Sequence, residues 1–269
     1  MQQRLQWIRL QPGTWTDWEP LRGGLRAHAG VAQCYPQARC WLVESSERRQ
    51  RLVQSALQAP WWRAARWRGT APQWGSPGDG QSDMVWANMA LHMAADPGAL
   101  LARWLQMLAP DGFLMFSCLG PDTLLQLRSV YAAMGWPEPA HRFTDMHDWG
   151  DMLLAGGYAE PVMDMERITL TYASPERLLG ELRELGRNLH PERFPGLRGR
   201  GWKSRLLQAL AGLGGEASGD GSIALTFEVI YGHALKPQPR LSVQPQVQLS
   251  LQEMRRMLQQ GRRTPTQSG

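Results

Sequence analysis

Apolar and polar positions along this chain change period repeatedly, and each change marks the end of one element and the start of another. "GTWTDW" predicts a short strand, followed by a helix over "LRGGLRAHAGVAQCY". "ARCWLVES" is apolar and compact and ends on Glu44, as a buried parallel strand does. "SERRQRLVQSALQ" has helical spacing, with Leu52, Val53, Ala56 and Leu57 on one side. "APWWRAARWRGTAPQWGSPGDGQ", rich in Trp, Pro and Gly, is expected to be irregular. "SDMVWANMAL" predicts a strand ending near Asn88. "DPGALLARWLQMLAP" predicts a helix with Asp96 as N-cap, Pro97 in the first turn and an apolar stripe of Leu100, Leu101, Trp104, Leu105 and Leu108.

The unbroken apolar run "DGFLMFSCLG" between turns predicts a central strand. Two helices follow, "PDTLLQLRSVYAAMG" and "DMHDWGDMLLAGGY", the second stopped by Gly156 and Gly157. "EPVMDMERITLTY" and "SIALTFEVIYGHAL" predict long strands, with two helices between them, from about Ser174 and about Gly201. Helices alternating with strands imply a doubly wound α/β sheet with right-handed crossovers. Ligands of such sheets bind at the carboxyl ends of the strands. The loops after Trp18, Val43, Ala87 and Ser117 are therefore where function is expected.

At 269 residues with 43% apolar side chains, the chain can bury a core as one large domain or two small ones. We expect one domain over 1–237 with a helical insertion at about 174–213, and a partly mobile tail over 238–269, which is rich in Pro and Gln. Three cysteines without zinc-ligand spacing predict reduced, mostly buried thiols and a cytoplasmic protein. No stretch of about 18 apolar residues exists to span a membrane, and the N-terminus has no apolar signal core. A net charge of +5, much of it in "RLLGELRELGRNLHPERFPGLRGRGWKSRL" and "MRRMLQQGRR", favours an acidic partner. No nucleic-acid recognition motif accompanies it.

Candidate chemistry is sparse. "HRFTDMHDWGDM" gathers His141, Asp145, His147, Asp148 and Asp151. Such a cluster can bind metal, but a helix cap with acids in the first turn explains it more simply, and no metal is expected. "WWRAARWR" interleaves Trp61, Trp62 and Trp67 with arginines and is the one aromatic-basic surface in view. No G-x-S-x-G turn marks a hydrolase, and no glycine fingerprint marks a dinucleotide oxidoreductase.

"SDMVWANMALHMAADPGALLARWLQMLAPDGFLMFSCLGPDTLLQLR" resembles the second half of class I S-adenosylmethionine-dependent methyltransferases. More narrowly it is similar to the malonyl-acyl carrier protein O-methyltransferases of biotin synthesis. So are "HRFTDMHDWGDMLLAGGYAEPVMDMERITLTYASPERLLGELRELGRNLHPERFPGLRGRGW" and "LTFEVIYGHALKP". The likeness runs over about Ser82 to Pro237, with weaker traces in "RLQWIRLQP" and "YPQARCWLVESS". It implies a Rossmann-like, seven-stranded sheet with the last strand antiparallel and helical insertions on the substrate side. It also implies S-adenosylmethionine as cofactor, with Asp17, Gly23, Gly24, Glu44, Asn88 and Met89 around it. Glu44 matches the acid that holds the ribose hydroxyls, a role a carboxylate suits. From the residues alone, Glu44 reads more simply as a cap on the next helix.

On the substrate side the likeness implies His141, Arg142 and His147, and Arg128 is the first candidate for clamping a malonyl carboxylate. An acidic acyl carrier protein would dock on Arg193, Arg198, Arg200, Lys203 and Arg205.

The stretch "DWEPLRGG" departs from the family. Where the family has three glycines after an acid, an ungapped match from Asp17 gives Glu19, Leu21 and Gly23. A match counted back from "YPQA" takes Glu19 as the acid and gives Leu21, Gly23 and Leu25. Either way one glycine of three survives. The lost glycines would have supplied unusual backbone angles and close approach to the ligand. Little chain precedes the first strand, whereas the family has a segment there that closes over the cofactor. Two readings follow: a methyltransferase of this family, or a relative of the same fold that binds a partner or substrate but not the methyl donor.

Overall fold

The structure is a computed structural model and describes residues 1–57, 71–186, 188, 190–217 and 222–239. Trp61, Trp62 and Trp67, and the tail from residue 240 onward, lie outside the described residues.

Seven strands form one sheet: β1 (Thr14–Trp18), β2 (Arg39–Val43), β3 (Gln73–Trp74), β4 (Ser82–Ala87), β5 (Leu108–Leu119), β6 (Ala159–Tyr172) and β7 (Ile223–Leu235). Their order is β3-β2-β1-β4-β5-β7-β6. The first five are mutually parallel, and β7 runs antiparallel between β5 and β6. This is the seven-stranded sheet with an antiparallel last strand that was expected. Phe113 pairs with Leu235 and Leu119 with Val229, so "DGFLMFSC" lies beside "ALTFEVIYGHAL". The stretch expected to be irregular contributes the two-residue edge strand β3, too short to leave a periodic signal.

Among the described residues the helices are α1 (Pro20–Gly23), α2 (Leu25–Cys34), α3 (Glu47–Leu57), α4 (Pro97–Met107), α5 (Leu125–Ala133), α6 (Met146–Ala155), α7 (Pro175–Leu185) and α8 (Arg200–Ala217). The single helix expected after β1 is broken at Gly24, whose φ of 89° no helix interior tolerates. Asp96 caps α4 by accepting from the Ala99 amide at 2.9 Å. α4 stops at Met107, so the chain enters β5 at Leu108, five residues before the apolar run begins at Phe113.

Strand β5 shows why the sheet is buried on both faces. Leu114, Phe116 and Cys118 point into a cluster with Trp104, Trp149, Leu153 and Ile230. Phe113 and Met115, alternating with them, join Leu5, Trp15, Val31, Leu42 and Trp86 on the opposite face. Burying a side chain such as Trp104, which is 0% exposed, contributes about 2–3 kcal/mol. A third cluster, with Leu127, Leu178, Leu206, Leu210 and Phe227, packs α5, α7 and α8 on the extended ends of β6 and β7. The parallel strands end together at Trp18, Val43, Ala87 and Leu119. The chain leaves β1 toward β2 on one side, while β4 joins it on the other, which opens the sheet's switch point there.

Candidate functional site

Immediately after β1 the backbone turns sharply. Glu19 sits at φ 52°, ψ 58°, the left-handed region, and Pro20 starts α1. The Glu19 amide donates to the Val43 carbonyl at 2.8 Å, which ties the turn to the end of β2. Its side chain lies 2.8 Å from Arg22 Nε and 3.4 Å from Arg49 Nη1. A left-handed angle at Glu19 fits the register that places Asp17 at the family's acid and Glu19 at its first glycine.

Asp17 itself points inward. Its Oδ2 lies 2.9 Å from His28 Nδ1, and the His28 ring stacks on Trp15. Burial pushes the Asp17 carboxyl above the usual carboxylate range, against the pull of His28. The pair ties the end of β1 to α2 behind the turn.

Glu44 follows β2 and faces that turn. Its Oε1 accepts the Leu21 amide at 2.8 Å. Its Oε2 is buried and has no partner among the described residues. Burial raises its pKa, the Leu21 amide opposes that, and nearby Glu19 adds to it. A buried, unpartnered carboxylate oxygen at a strand's carboxyl end calls for a donor that the described residues do not supply. Leu21, half-buried against the core, fills space that glycine would leave open.

Asn88 and Met89 close the end of β4. Asn88 Nδ2 donates to the Gly23 carbonyl at 2.5 Å, and its Oδ1 accepts from Ser117 Oγ at 2.6 Å. Ser117 Oγ in turn accepts the Met89 amide at 3.1 Å. Met89 has a φ of 55°. A Cβ on Gly23 would meet Asn88 at 3.1 Å, a tight contact, whereas Gly24 has open space around it but a φ of 89° that strains any side chain. Beside this network a cavity of about 590 Å³ runs between α2, Trp86 and the 3-10 helix Gln2–Trp7 ahead of β1.

The substrate-side candidates separate into two groups. Arg128 and His141 come together through a guanidinium–carbonyl bond, and His141, with His92, Thr123 and Phe143, lines a cavity of about 180 Å³ behind the C-terminal end of β5. Each nitrogen of the Arg128 guanidinium makes one bond within the protein: Nε with Thr123 O at 3.2 Å, Nη1 with Glu138 at 3.1 Å and Nη2 with His141 O at 2.8 Å. Arg142 and His147 stand apart, with side chains 82% and 83% exposed. The adjoining acid Asp145 caps α6, accepting from the His147 amide at 2.8 Å.

Sequence reasoning passed over His92, on a short 3-10 turn (Leu91–Met93) after β4. Its position four residues past Asn88 was the available signal. Burial, with the charges of His141 and Arg22 beside it, pushes its pKa down to about 4, so the ring is neutral. A second omission is Glu228. Its buried carboxylate accepts the Asp122 amide at 2.7 Å and pins the "GPDT" turn that walls the cavity.

In the basic insertion, Arg193, Arg200, Lys203 and Arg205 are exposed. Arg198 is half-buried, its guanidinium 4.3 Å from the Phe194 ring centre and 4.4 Å from that of Trp202. Among the described residues, no helix is long and apolar enough to cross a membrane.

No family model matches the chain. Among solved structures, it is similar to a methyltransferase candidate from Bacillus halodurans C-125, with a TM-score of 0.59 at 12% identity over 88% of this chain and 99% of that one. The YcgJ protein from Bacillus subtilis gives a TM-score of 0.54 at 13% identity over 84% and 93%. At these identities the likeness speaks to the fold.

Curated relatives go further. The malonyl-[acyl-carrier protein] O-methyltransferase of Gallionella capsiferriformans is 36% identical over 257 residues, 90% of this chain and 83% of that protein. Its counterparts in Laribacter hongkongensis and Methylovorus are 42% and 40% identical over 162 residues, 60% of this chain. Those two alignments take in about half of each relative, 53%. On the alignment that runs along nine-tenths of its length, the chain belongs to the malonyl-acyl carrier protein O-methyltransferase family.

Proposed function

We propose that the chain transfers the methyl group of S-adenosylmethionine to the free carboxylate of a malonyl thioester held on acyl carrier protein, the reaction that starts biotin synthesis. The observation that carries this reading is the buried, unpartnered Oε2 of Glu44 at the carboxyl end of β2, in a chain of this family. A ribose hydroxyl is the donor that would satisfy it. Bound there, the cofactor supplies an electrophilic methyl group on a sulfonium centre. Gly23, Gly24, Asn88 and Met89 would flank it, with Asp17 and His28 acting as the scaffold of the turn.

The acceptor carboxylate is already ionised at neutral pH, so the protein needs no strong general base. Its task is to hold two reactants in line and exclude water, which is positioning rather than proton transfer. The small cavity beside His92 and His141 suits the acyl end of the acceptor. Arg193, Arg200, Lys203 and Arg205 would meet the acidic carrier, while Arg198, stacked among aromatic rings, supports that surface from below. The test is mass spectrometry of malonyl-acyl carrier protein incubated with S-adenosylmethionine and the purified chain. A mass gain of one methyl group supports the reading, and an unchanged carrier refutes it.

One observation favours a second reading, a family relative that binds carrier or acyl group without the methyl donor. α1 fills the turn where glycines would stand, Pro20 offers no amide, and Leu21 already occupies one oxygen of Glu44. Titration with S-adenosylhomocysteine separates the two readings.

A further inference from the structure

The cavity behind β5 is mostly apolar, and a carboxylate entering it needs at least one hydrogen-bond donor. The charged side chains around it do not provide one. Arg128 does not line it and turns each of its three nitrogens to a partner within the protein, and Arg142 points to solvent with Glu138 4.0 Å away. The Thr123 hydroxyl donates to the Glu228 carbonyl at 3.2 Å. His141 Nε2 donates to the His92 carbonyl at 3.3 Å, since a carbonyl can only accept, and this leaves its Nδ1 as a lone pair.

His92 is different. Its Nδ1 faces the Leu119 amide at 3.4 Å, and an amide N–H can only donate. In a neutral ring the single proton is therefore on Nε2, which has no partner among the described residues. The ring lines the cavity, edge-on to Phe143 at 5.8 Å, and follows Asn88 by four residues at the mouth of the switch point.

We propose that His92 holds the acyl acceptor, its Nε2–H donating to the malonyl carboxylate oxygen that is not methylated. This rests on the methyl-transfer reading for the identity of the acceptor. A neutral donor fits the chemistry, because it fixes the carboxylate while withdrawing less charge from the attacking oxygen than a guanidinium clamp would.

The experiment is calorimetric binding of malonyl-pantetheine to the full chain as wild type, H92A and H92Q. S-adenosylhomocysteine and acetyl-pantetheine serve as control ligands. H92A is expected to weaken malonyl-pantetheine about tenfold or more, the value of one hydrogen bond to a charged group. H92Q, whose amide N–H reaches the place of Nε2, restores binding to within about threefold. Acetyl-pantetheine, which lacks the carboxylate, and S-adenosylhomocysteine bind the three proteins alike. Should H92A fail to fold, H92M takes its place beside H92Q. Equal malonyl-pantetheine binding by wild type and H92A, or none by wild type, overturns the proposal. If binding follows the expected pattern but no methyl ester forms, the methyl-transfer reading fails and the role of His92 stands.

Discussion

Glu19 offers a test in which the usual ranking of two substitutions reverses. Its φ of 52° and ψ of 58° are held by three backbone hydrogen bonds: its own amide to Val43, and its carbonyl from Arg22 and Gly23, each at 2.9 Å. A side chain in that region costs about 1 kcal/mol or more, and glycine removes the cost. Both Glu19→Ala and Glu19→Gly lose the contacts to Arg22 and Arg49, made by a side chain only 13% exposed. What separates them is the backbone. At an ordinary position glycine is less stable than alanine by about 1 kcal/mol. Here it is expected to be more stable than alanine by about 1 kcal/mol, after the extra freedom it gives the unfolded chain. Urea unfolding measures this as a higher midpoint for Glu19→Gly than for Glu19→Ala at unchanged slope. Both variants also lower the pKa of Glu44, by removing a neighbouring negative charge. A midpoint for Glu19→Gly below that of Glu19→Ala refutes the left-handed turn, and with it the placement of Glu19 at a glycine position.

Three further outcomes are expected. His92 has a folded pKa lowered to about 4 from 6.5, so the unfolded chain binds the extra proton and this group's contribution falls as pH drops through that window. Between pH 7 and pH 4.5 the loss is about 2 kcal/mol. H92Q should lose correspondingly less stability than wild type over that range in urea titrations, and identical losses would show that His92 titrates normally. Gly232→Ala places a Cβ 2.1 Å from the fully buried Phe116 ring across the β5–β7 pairing. It should cost about 2 kcal/mol or more in unfolding experiments, and a neutral substitution would mean that the two strands are not in this register. Reversing Arg200 and Lys203 to Glu should slow association with acyl carrier protein at low salt and flatten its salt dependence. An unchanged on-rate in stopped flow would move the docking surface elsewhere.

Much of the fold was legible because the sheet's parallel strands are buried on both faces and read as apolar runs bounded by turns. "DGFLMFSC" announced itself in this way, and Asp96 and Pro97 announced α4. The break at Gly24 was not legible, since the helical periodicity of Leu21, Leu25 and Ala29 runs through it. β3 escaped because two residues carry no period. Glu44 stood out in the sequence as the acid that ends an apolar strand and matches the family's acidic position, and its unpartnered oxygen emerged only with the packing of Leu21. The neighbours of Arg128 were not legible, because sequence shows a charge but not its partners. Glu138 and the carbonyls of Thr123 and His141, which engage it, become neighbours only through the chain's return from α5. His92 was hidden for the opposite reason, since a lone histidine carries no signal beyond its place four residues after Asn88.

The most direct test of the account is titration of the purified chain with S-adenosylhomocysteine, run beside Glu44→Gln. If Glu44 Oε2 receives a ribose hydroxyl, wild type binds the ligand and the substitution weakens it about tenfold or more, because the acceptor loses its charge. The amide oxygen of glutamine can still accept from Leu21, so the variant should unfold near the wild-type midpoint. No binding by wild type, or equal binding by both proteins, would contradict the account. The first result would leave a family member that has given up the methyl donor, and the second would place the donor away from Glu44.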